Sequence, residues 1–497
     1  MKQQNLKHLF VRGLAFALTL VLCFTLAACG TGTTTSEIII GDEDDGGYEG
    51  LDRTDNGIEK DGTQQDGAGN GGNSSGKGNT SSKAGTKTTA DTSWIDSIPK
   101  SLQGTTVTFG CWGDENAKEY AKVAKYFTKK TKINIKWVTY NEDKYISTIV
   151  EQNAAGKGPD IIICNVTFPS AIEAVQELPA IFNVNDGFWD PRVTKDLSCR
   201  GKNYFVNSYT SPFLNGGLFC FYNKQIFSDN NITSPQDYVN AGNWTMETFE
   251  KCLRDAHAKG FDGGNVFPQD LWPLTGARLI DYDSSTGTFS SGLNNPAYKS
   301  DIVYSLKFVS RLLKEGVISN MPLPRFAQGN MAIAVQGNFS MKYNGWFNGM
   351  TPSSLGVVDM PSTFNGKKAN YYGLYQRGYG IGKNAKNIEG AYYFLRYFLD
   401  INNYEEAGAN IFLNKNIERF FKEHYLPNYK KNPMNTEYKE NPLSLAGHPW
   451  TDAASNDWKD LFNAQVAAEE IDTLLAARAN IIETAAKKAT EKLQGVK

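Results

Sequence analysis

The first part of the folded body predicts an α/β fold with a doubly wound sheet. Two observations carry this prediction. Segments with the β-branched or alternating pattern of strands are separated by segments that place apolar residues at helical spacing. The third strand segment, Ile161–Cys164, is apolar throughout, as expected of a parallel sheet covered on both faces. The resulting β-α-β-α-β order is typical of a doubly wound lobe.

The elements of this lobe follow one another closely. Asn141 is the predicted N-cap of the second helix, which continues through Tyr145, Ile146, Ile149 and Val150. Pro159 cannot continue that helix, so it ends in the glycine-rich turn before Asp160. The predicted elements in chain order are strand 107–111, helix 115–131, strand 133–138, the helix after Asn141, and strand 161–164. Ligands of such sheets bind beyond the carboxyl ends of the strands.

Composition excludes several classes of protein. The chain has 497 residues, of which 40% are hydrophobic and 12% aromatic, so it is neither wholly disordered nor fibrous. A mean hydropathy of −0.43 is too polar for a polytopic membrane protein. With 51 basic and 53 acidic residues, the chain lacks the basic footprint of a nucleic-acid-binding protein.

The N-terminus has the features of an export signal. Basic residues precede an apolar run, Leu14–Leu26, that is too short to span a bilayer. The run ends in Leu26-Ala27-Ala28-Cys29-Gly30, which resembles the lipobox of bacterial lipoproteins. The resemblance implies that residues 1–28 are removed and that Cys29 carries lipid, such as palmitate, on the outer face of a Gram-positive cell membrane. The alternative is an ordinary secretory peptide with an incidental cysteine.

Residues 29–93 differ in composition from the rest. Residues 30–93 contain 15 Gly, 12 acidic and 5 basic residues, with almost no aromatics. Such a segment buries too little apolar surface to offset its ordering entropy, so we expect a disordered acidic tether between the membrane and the body. The run Asp42–Asp45 lacks the spaced ligands of a calcium loop, although such a loop stays an alternative.

Cysteine usage predicts neither a disulfide framework nor a metal site. Five cysteines remain besides Cys29 and Cys23 of the leader, and none forms a Cys-x-x-Cys motif. We expect these five to be small buried hydrophobic residues. We predict no cofactor.

From about Thr106 to the C-terminus the chain resembles extracellular solute-binding protein family 1, the sugar-binding proteins of ABC importers. The order and spacing of five segments carry the resemblance. They are Ala154–Asp160, Phe221–Lys224 with Phe227, Asn243–Phe249, Phe326–Ala332 with Gln336–Asn338, and Tyr379–Asn387 before a helix containing Ala391, Phe394, Leu395 and Phe398.

The resemblance implies a two-lobed periplasmic-binding-protein-like fold of type II, with the ligand in the interlobe cleft. We expect hinge crossings near 211–216, 375–378 and 420–445, and C-terminal helices between Trp458 and Leu493 that brace the second lobe. The predicted domains are 94–212 with 378–430 for lobe 1, and 213–377 with 431–497 for lobe 2. The resemblance implies a monomeric binding protein that captures a carbohydrate and delivers it to permease subunits. It implies no catalytic activity.

Neutral sugars need aromatic faces for their C–H surfaces and planar polar groups for paired hydroxyls. Trp112, Asp114 and Glu115 follow the first strand, and Asn165 follows the third. These residues are predicted ligand contacts in lobe 1. The alternative for Asp114 is that it caps the next helix.

The remaining predicted contacts come from the hinge and the second lobe: Trp272, Asn338, Phe339, Tyr375, Arg377 and Trp458. Relatives often have Trp where Phe339 stands, stacked on a sugar ring. The Arg377 guanidinium is expected to donate paired hydrogen bonds to ligand hydroxyls or to a ligand carboxylate. The alternative is that it forms a structural salt bridge. Trp272 and Trp458 have core packing as their alternative, and Trp244 is expected to be a packing residue.

Rival functions have less support in the sequence. A surface glycoside hydrolase needs two carboxylates across a cleft, and only Asp114-Glu115 suggests such a pair. A metal-binding protein requires clustered His and acidic residues. A structural or adhesive lipoprotein, and a binding protein for polyamine or iron, stay open as alternatives.

Overall fold

A computed structural model describes residues 36–40, 93–112, 118–164, 167–213, 217–319, 323–342, 347, 349–372, 377–434 and 470–495. The strands are β1 (Ser36–Ile40), β2 (Thr106–Cys111), β3 (Asn134–Thr139), β4 (Ile161–Cys164), β5 (Leu218–Asn223), β6 (Asp262–Asn265), β7 (Ile280–Asp283), β8 (Thr288–Ser291), β9 (Met331–Gly337), β10 (Leu355–Asp359), β11 (Thr363–Phe364), β12 (Lys367–Lys368) and β13 (Gly378–Ile381).

The α-helices of the described residues are α1 (Lys118–Thr131), α2 (Tyr145–Ala154), α3 (Pro191–Asp196), α4 (Lys224–Asp229), α5 (Pro235–Asn240), α6 (Met246–Ala258), α7 (Pro296–Lys314), α8 (Pro324–Ala327), α9 (Ile388–Phe398), α10 (Asn402–Glu406), α11 (Lys415–Arg419), α12 (Leu426–Lys431) and α13 (Ile471–Gln494). A π-helix, Phe420–Tyr425, joins α11 to α12. Within this part of the chain, no helix has both the length and the apolar content needed to cross a membrane.

The first sheet has the order β1-β3-β2-β4-β13 and confirms the doubly wound prediction. Strand β2 runs parallel to both β3 and β4, whereas β13 pairs antiparallel with β4. All four residues of β4 are buried, because helices cover both faces of the sheet. The predicted α1, β3, α2 and β4 appear in the predicted order, and Asn141 caps a 3₁₀ turn that leads directly into α2.

One buried carboxylate links the elements of this lobe. Oδ2 of Asp160, which ends the Gly-Pro-Asp turn, accepts hydrogen bonds from Thr108 N at 2.7 Å and Thr108 Oγ1 at 2.6 Å. Its Oδ1 accepts from Lys386 N at 2.5 Å and Asn387 N at 3.0 Å. Asn387 in turn is the N-cap of α9. The carboxylate therefore holds β2 against the N-terminus of α9, where a negative charge is favourable.

The second sheet has the order β10-β5-β9-β6. Strand β5 alternates its side chains between two cores: Phe219 and Phe221 lie on one face, and Cys220 and Tyr222 on the other. Helix α6 covers the latter face, and its N-cap is Thr245. Trp244 is buried and its Nε1 donates to Asp359 O at 2.8 Å, which confirms its packing role.

The chain passes between the two lobes on either side of the second sheet. It leaves the first lobe after Phe213 and enters β5 at Leu218, and it returns after Tyr372 to β13. The predicted crossings 211–216 and 375–378 stay predictions, because 214–216 and 373–376 lie outside the described residues.

The helical segment Lys415–Lys431 lies against both lobes. Phe420 and Tyr425 contact Phe219 of the second sheet, with ring centroids 5.7 and 5.2 Å apart. Arg192 of α3, in the first lobe, donates to Tyr429 O and Asn432 O at 2.9 Å each. The sequence places residues up to 430 in lobe 1, whereas these contacts join the segment to lobe 2 as well.

Strand β1 departs from the sequence expectation. It pairs antiparallel with β3 from Ser36 opposite Thr139 to Ile40 opposite Ile135. The prediction of a disordered tether is wrong for these five residues. The physical reason is local composition: three consecutive isoleucines have the highest β-propensity of the segment, and β3 offers an edge with unpaired backbone groups.

The C-terminal helix α13 packs on the β7–β8 hairpin and on α7. It also reaches the first lobe, because Lys492 Nζ donates to Ser170 Oγ. The five cysteines of the described residues are buried and none is in a disulfide, as expected.

Candidate functional site

The candidate site lies where the facing edges of the two sheets meet. In the first lobe, the carboxyl ends of β2 and β4 lie beside the start of β13, since Gly378 pairs with Cys164. In the second lobe, the carboxyl end of β9 lies beside the start of β5, since Gly337 pairs with Leu218. The two crossings join these edges, and the space between the edges is called here the cleft.

Tyr145 holds the strand ends on the lobe 1 side of the cleft. Its hydroxyl donates to Gly110 O at 2.8 Å and accepts from Ile163 N at 2.9 Å, which links β2 to β4. Burial raises the pKa of this hydroxyl well above its ordinary range, so it stays protonated and keeps both bonds. The Trp112 ring stands edge-on to Tyr145 with centroids 4.8 Å apart. This contact holds Trp112 at the edge of the sheet where β2 ends.

Arg377 joins Trp112 at this edge. Its guanidinium carbon lies 5.5 Å from the Trp112 ring centroid and 5.2 Å from that of Phe213. Its backbone carbonyl accepts from Asn207 Nδ2 at 2.8 Å, and the residue is 5% exposed. Two of the predicted contact residues are therefore brought together, and two aromatic rings contact the cation.

A second cation, from lobe 2, contacts the Phe213 ring. Lys342 comes after β9, and its Nζ lies 4.8 Å from the Phe213 ring centroid and 5.7 Å from that of Tyr120. Lys342 is 8% exposed. Phe213, the last described residue before the first crossing, therefore contacts a basic residue from each side of the hinge.

Phe339 presents the exposed aromatic face of the site. Among the described residues, Phe339 at 42% and Val239 at 38% are the exposed large hydrophobic side chains. Gly337 makes room for the ring, because a Cβ there would lie 3.0 Å from two of its carbons. The neighbouring Asn338, also a predicted contact, is 3% exposed and its side chain is turned into the protein.

The other predicted contacts are placed differently. Trp272 is 1% exposed and lies in the hydrophobic core, which agrees with its packing alternative. Several predictions lie outside the described residues and stay predictions: Asp114, Glu115, Asn165, Tyr375, Trp458 and the lipidation site Cys29. Among the side chains that are described, no group of three or more His, Cys, Asp or Glu is placed to hold a metal ion.

Sequence reasoning missed Phe213, Lys342 and the positioning role of Tyr145. A partial signal existed for the first two. Phe213 lies within the predicted crossing 211–216, and Lys342 comes three residues after Phe339, one turn of the 3₁₀ helix Asn338–Met341. No local signal indicates that Tyr145 bridges two strands, because that contact spans 35 and 18 residues of sequence.

The residue types at this site suit recognition of a polar ligand. Trp112 and Phe339 offer flat apolar faces, and the Arg377 guanidinium is a planar fork of donors. Burial beside aromatic rings fixes Arg377 and Lys342, which lowers the entropy lost when a ligand binds.

Comparisons with known proteins agree with this arrangement. The model of the family described as bacterial extracellular solute-binding protein matches residues 113–400. No curated protein matches the chain. A crystal structure of an ABC transporter solute-binding protein from Thermotoga lettingae, bound with α-D-tagatose, is similar in fold with a TM-score of 0.50. It is 16% identical, and the match covers 78% of this chain and 99% of that one.

The match to the family model extends over more than half of the chain and includes strands of both sheets. The two-lobed α/β architecture is that of the similar solved structure. The chain belongs to the bacterial extracellular solute-binding protein family.

Proposed function

We propose that this chain binds a carbohydrate, an oligosaccharide in particular, in the interlobe cleft and delivers it to an ABC transporter. The observation that carries the proposal is the exposed Phe339 ring, which follows β9 at the edge of lobe 2, together with the contact of Trp112 and Arg377 at the lobe 1 edge. The family and the tagatose-bound neighbour support a solute-binding role without catalysis. Ligand contacts with both lobes favour the closed form over the open one.

The test is thermal unfolding of the full-length chain, purified in detergent, against mono- and oligosaccharides with spermidine and ferric iron as comparisons. A saccharide at 100 times its Kd stabilises the folded chain by about 2.7 kcal/mol, which moves the midpoint by a few degrees. We expect a shift with one glycan and none with its stereoisomers. A shift only with spermidine or iron contradicts the carbohydrate assignment.

Two variants at one position test the placement of the site. Phe339→Ala is expected to weaken saccharide binding about tenfold, because stacking on the ring contributes about 1.4 kcal/mol. Phe339→Trp keeps the aromatic face and is expected to retain binding. An unchanged Kd in Phe339→Ala contradicts a cleft site at this edge.

We also propose that the chain is anchored to the outer face of the cell membrane through lipid on Cys29. Support comes from the apolar run and the small residues that precede this cysteine. Cells fed an alkyne analogue of palmitate are expected to label the wild-type chain and the control variant Cys23→Ser, but not Cys29→Ser. Equal labelling of Cys29→Ser contradicts the proposal.

The lobe assignment is part of the same proposal. We assign 94–213 and the segment from 377 to lobe 1, because Arg377 contacts the rings of Trp112 and Phe213, and 217–372 to lobe 2. The contacts of Phe420 and Tyr425 with Phe219 support ending the lobe 1 segment before the π-helix rather than at residue 430.

A further inference from the structure

A pocket lies on lobe 2 beside the start of β5, the strand that also borders the candidate site. It has a volume of about 320 Å³ and is called here the hinge pocket. Its walls include the first residue of β5, Leu218, and the last residue of β10, Asp359. None of the residues Trp112, Phe339, Lys342 and Arg377 lines the pocket. In the sheet order, β5 separates β10 from β9, the strand that leads to Phe339.

The hinge pocket combines aromatic surfaces with uncharged polar groups. Tyr371 supplies an aromatic surface, and Trp244 and Tyr372, which are 5% and 7% exposed, also line the pocket. Asn370 and Asn432 supply amides. Amides can donate and accept at the same time, which suits the paired hydroxyls of a sugar. Aromatic rings suit the apolar C–H faces of the same molecule.

The aromatic walls are fixed before any ligand binds. Trp244 Nε1 donates to Asp359 O at 2.8 Å, and the Tyr372 hydroxyl donates to Asp359 Oδ1 at 2.8 Å. The Tyr372 backbone N–H donates to Pro433 O at 2.9 Å, which holds the wall that includes Asn432. A site with its walls fixed in this way loses little entropy on binding.

The charge of Asp359 is balanced by the protein. Asp359 Oδ2 lies 2.7 Å from His424 Nε2, and the hydrogen bond to this carboxylate raises the pKa of His424 above its ordinary value. A cationic ligand is therefore not needed to neutralise the carboxylate. Together with the amides and rings, this favours an uncharged, hydroxyl-rich occupant.

We propose that the hinge pocket is a second binding site, for a neutral carbohydrate of monosaccharide size, separate from the ligand site in the cleft. It goes beyond the proposed function, because transport by a binding protein needs only the cleft.

Photoaffinity labelling of the full-length chain tests this assignment. The probes are diazirine derivatives of methyl β-D-glucopyranoside and methyl β-D-galactopyranoside, with the labelled peptides identified by mass spectrometry. We expect label on peptides containing Trp244 or Tyr371 with at least one probe, and competition by the matching unlabelled glycoside. Absence of label from these peptides with both probes overturns the proposal.

Matched variants on α5 separate pocket binding from surface labelling. Val239 lines the pocket and is already exposed, so Val239→Trp fills the pocket from outside without disturbing the core. We expect it to reduce pocket labelling about tenfold or more, while Asn240→Trp, at the exposed next position, labels as wild type. Labelling that persists in Val239→Trp overturns the proposal, provided that both variants unfold at the wild-type temperature.

The Phe339→Ala variant tests whether the hinge pocket and the cleft are two separate binding sites. Pocket labelling that is retained in Phe339→Ala supports a separate site, whether or not saccharide binding in the cleft is found. Pocket labelling that falls in parallel with cleft binding shows that the two are one site and overturns the proposal.

Discussion

Replacing Asp160 with alanine is expected to lower the free energy of unfolding by about 3 kcal/mol or more. The buried carboxylate accepts two hydrogen bonds from Thr108 and two from the backbone at Lys386 and Asn387. Each buried donor that is left without an acceptor costs about 1–3 kcal/mol. Asp160→Asn is expected to cost less, because its remaining oxygen still accepts from the N-terminus of α9.

Urea denaturation followed by circular dichroism measures this loss. The control is Asp472→Ala, at a carboxylate that is 60% exposed and 3.5 Å from Lys307, where we expect a change below about 1 kcal/mol. Equal stability of Asp160→Ala and the control would show that the four hydrogen bonds do not hold this part of the fold together.

Replacing Arg192 with alanine is expected to cost about 3–5 kcal/mol, because it leaves the fully buried Asp190 without its counter-charge. The guanidinium is bidentate to Asp190, with Nε–Oδ1 and Nη2–Oδ2 distances of 2.9 and 2.7 Å. It also lies 4.8 Å from the Tyr429 ring and donates to the backbone of α12. Arg192→Lys keeps the charge but loses the fork, so an intermediate loss is expected.

Hydrogen exchange locates the effect of the Arg192 variant. Besides the global loss in denaturation, amides of residues 426–434 are expected to exchange faster in Arg192→Ala, since the donor to Tyr429 O and Asn432 O is gone. Lys195→Ala, at an exposed position of the same helix, serves as control. Equal exchange rates of the amides of residues 426–434 in the two variants would mean that Arg192 does not hold this segment in place.

The fold was predictable wherever local pattern determines structure. The apolar run Ile161–Cys164 and the alternation around Trp137 indicate strands because burial on one or both faces imposes those patterns. The antiparallel partner of β4 was not predictable from pattern, because β13 lies more than 200 residues further along the chain. Nor does local pattern show that the Gly-Pro-Asp turn ends in a carboxylate bound by the start of α9.

The candidate site was predictable in residue type but not in exposure. Trp112 follows β2, Phe339 follows β9 and Arg377 precedes β13, so their place at strand ends was predictable, and their contact with a ligand stays a prediction. Trp272 has the same aromatic character as Trp112, but it lies in the core. Aromatic rings satisfy hydrophobic packing and sugar stacking equally well, so sequence alone does not distinguish the two roles. The contact of Lys342 with Phe213 depends on how the lobes meet.

Strand β1 has a consequence for self-association. By pairing with β3, the N-terminal segment covers backbone donors and acceptors that would otherwise form an open sheet edge. A shortened chain that begins at Ser93 lacks this strand and presents β3 as a template for a second molecule. Segment 36–40 thus opposes aggregation by covering the β3 edge within the same molecule. Shortening the chain to remove the acidic region also removes this cover.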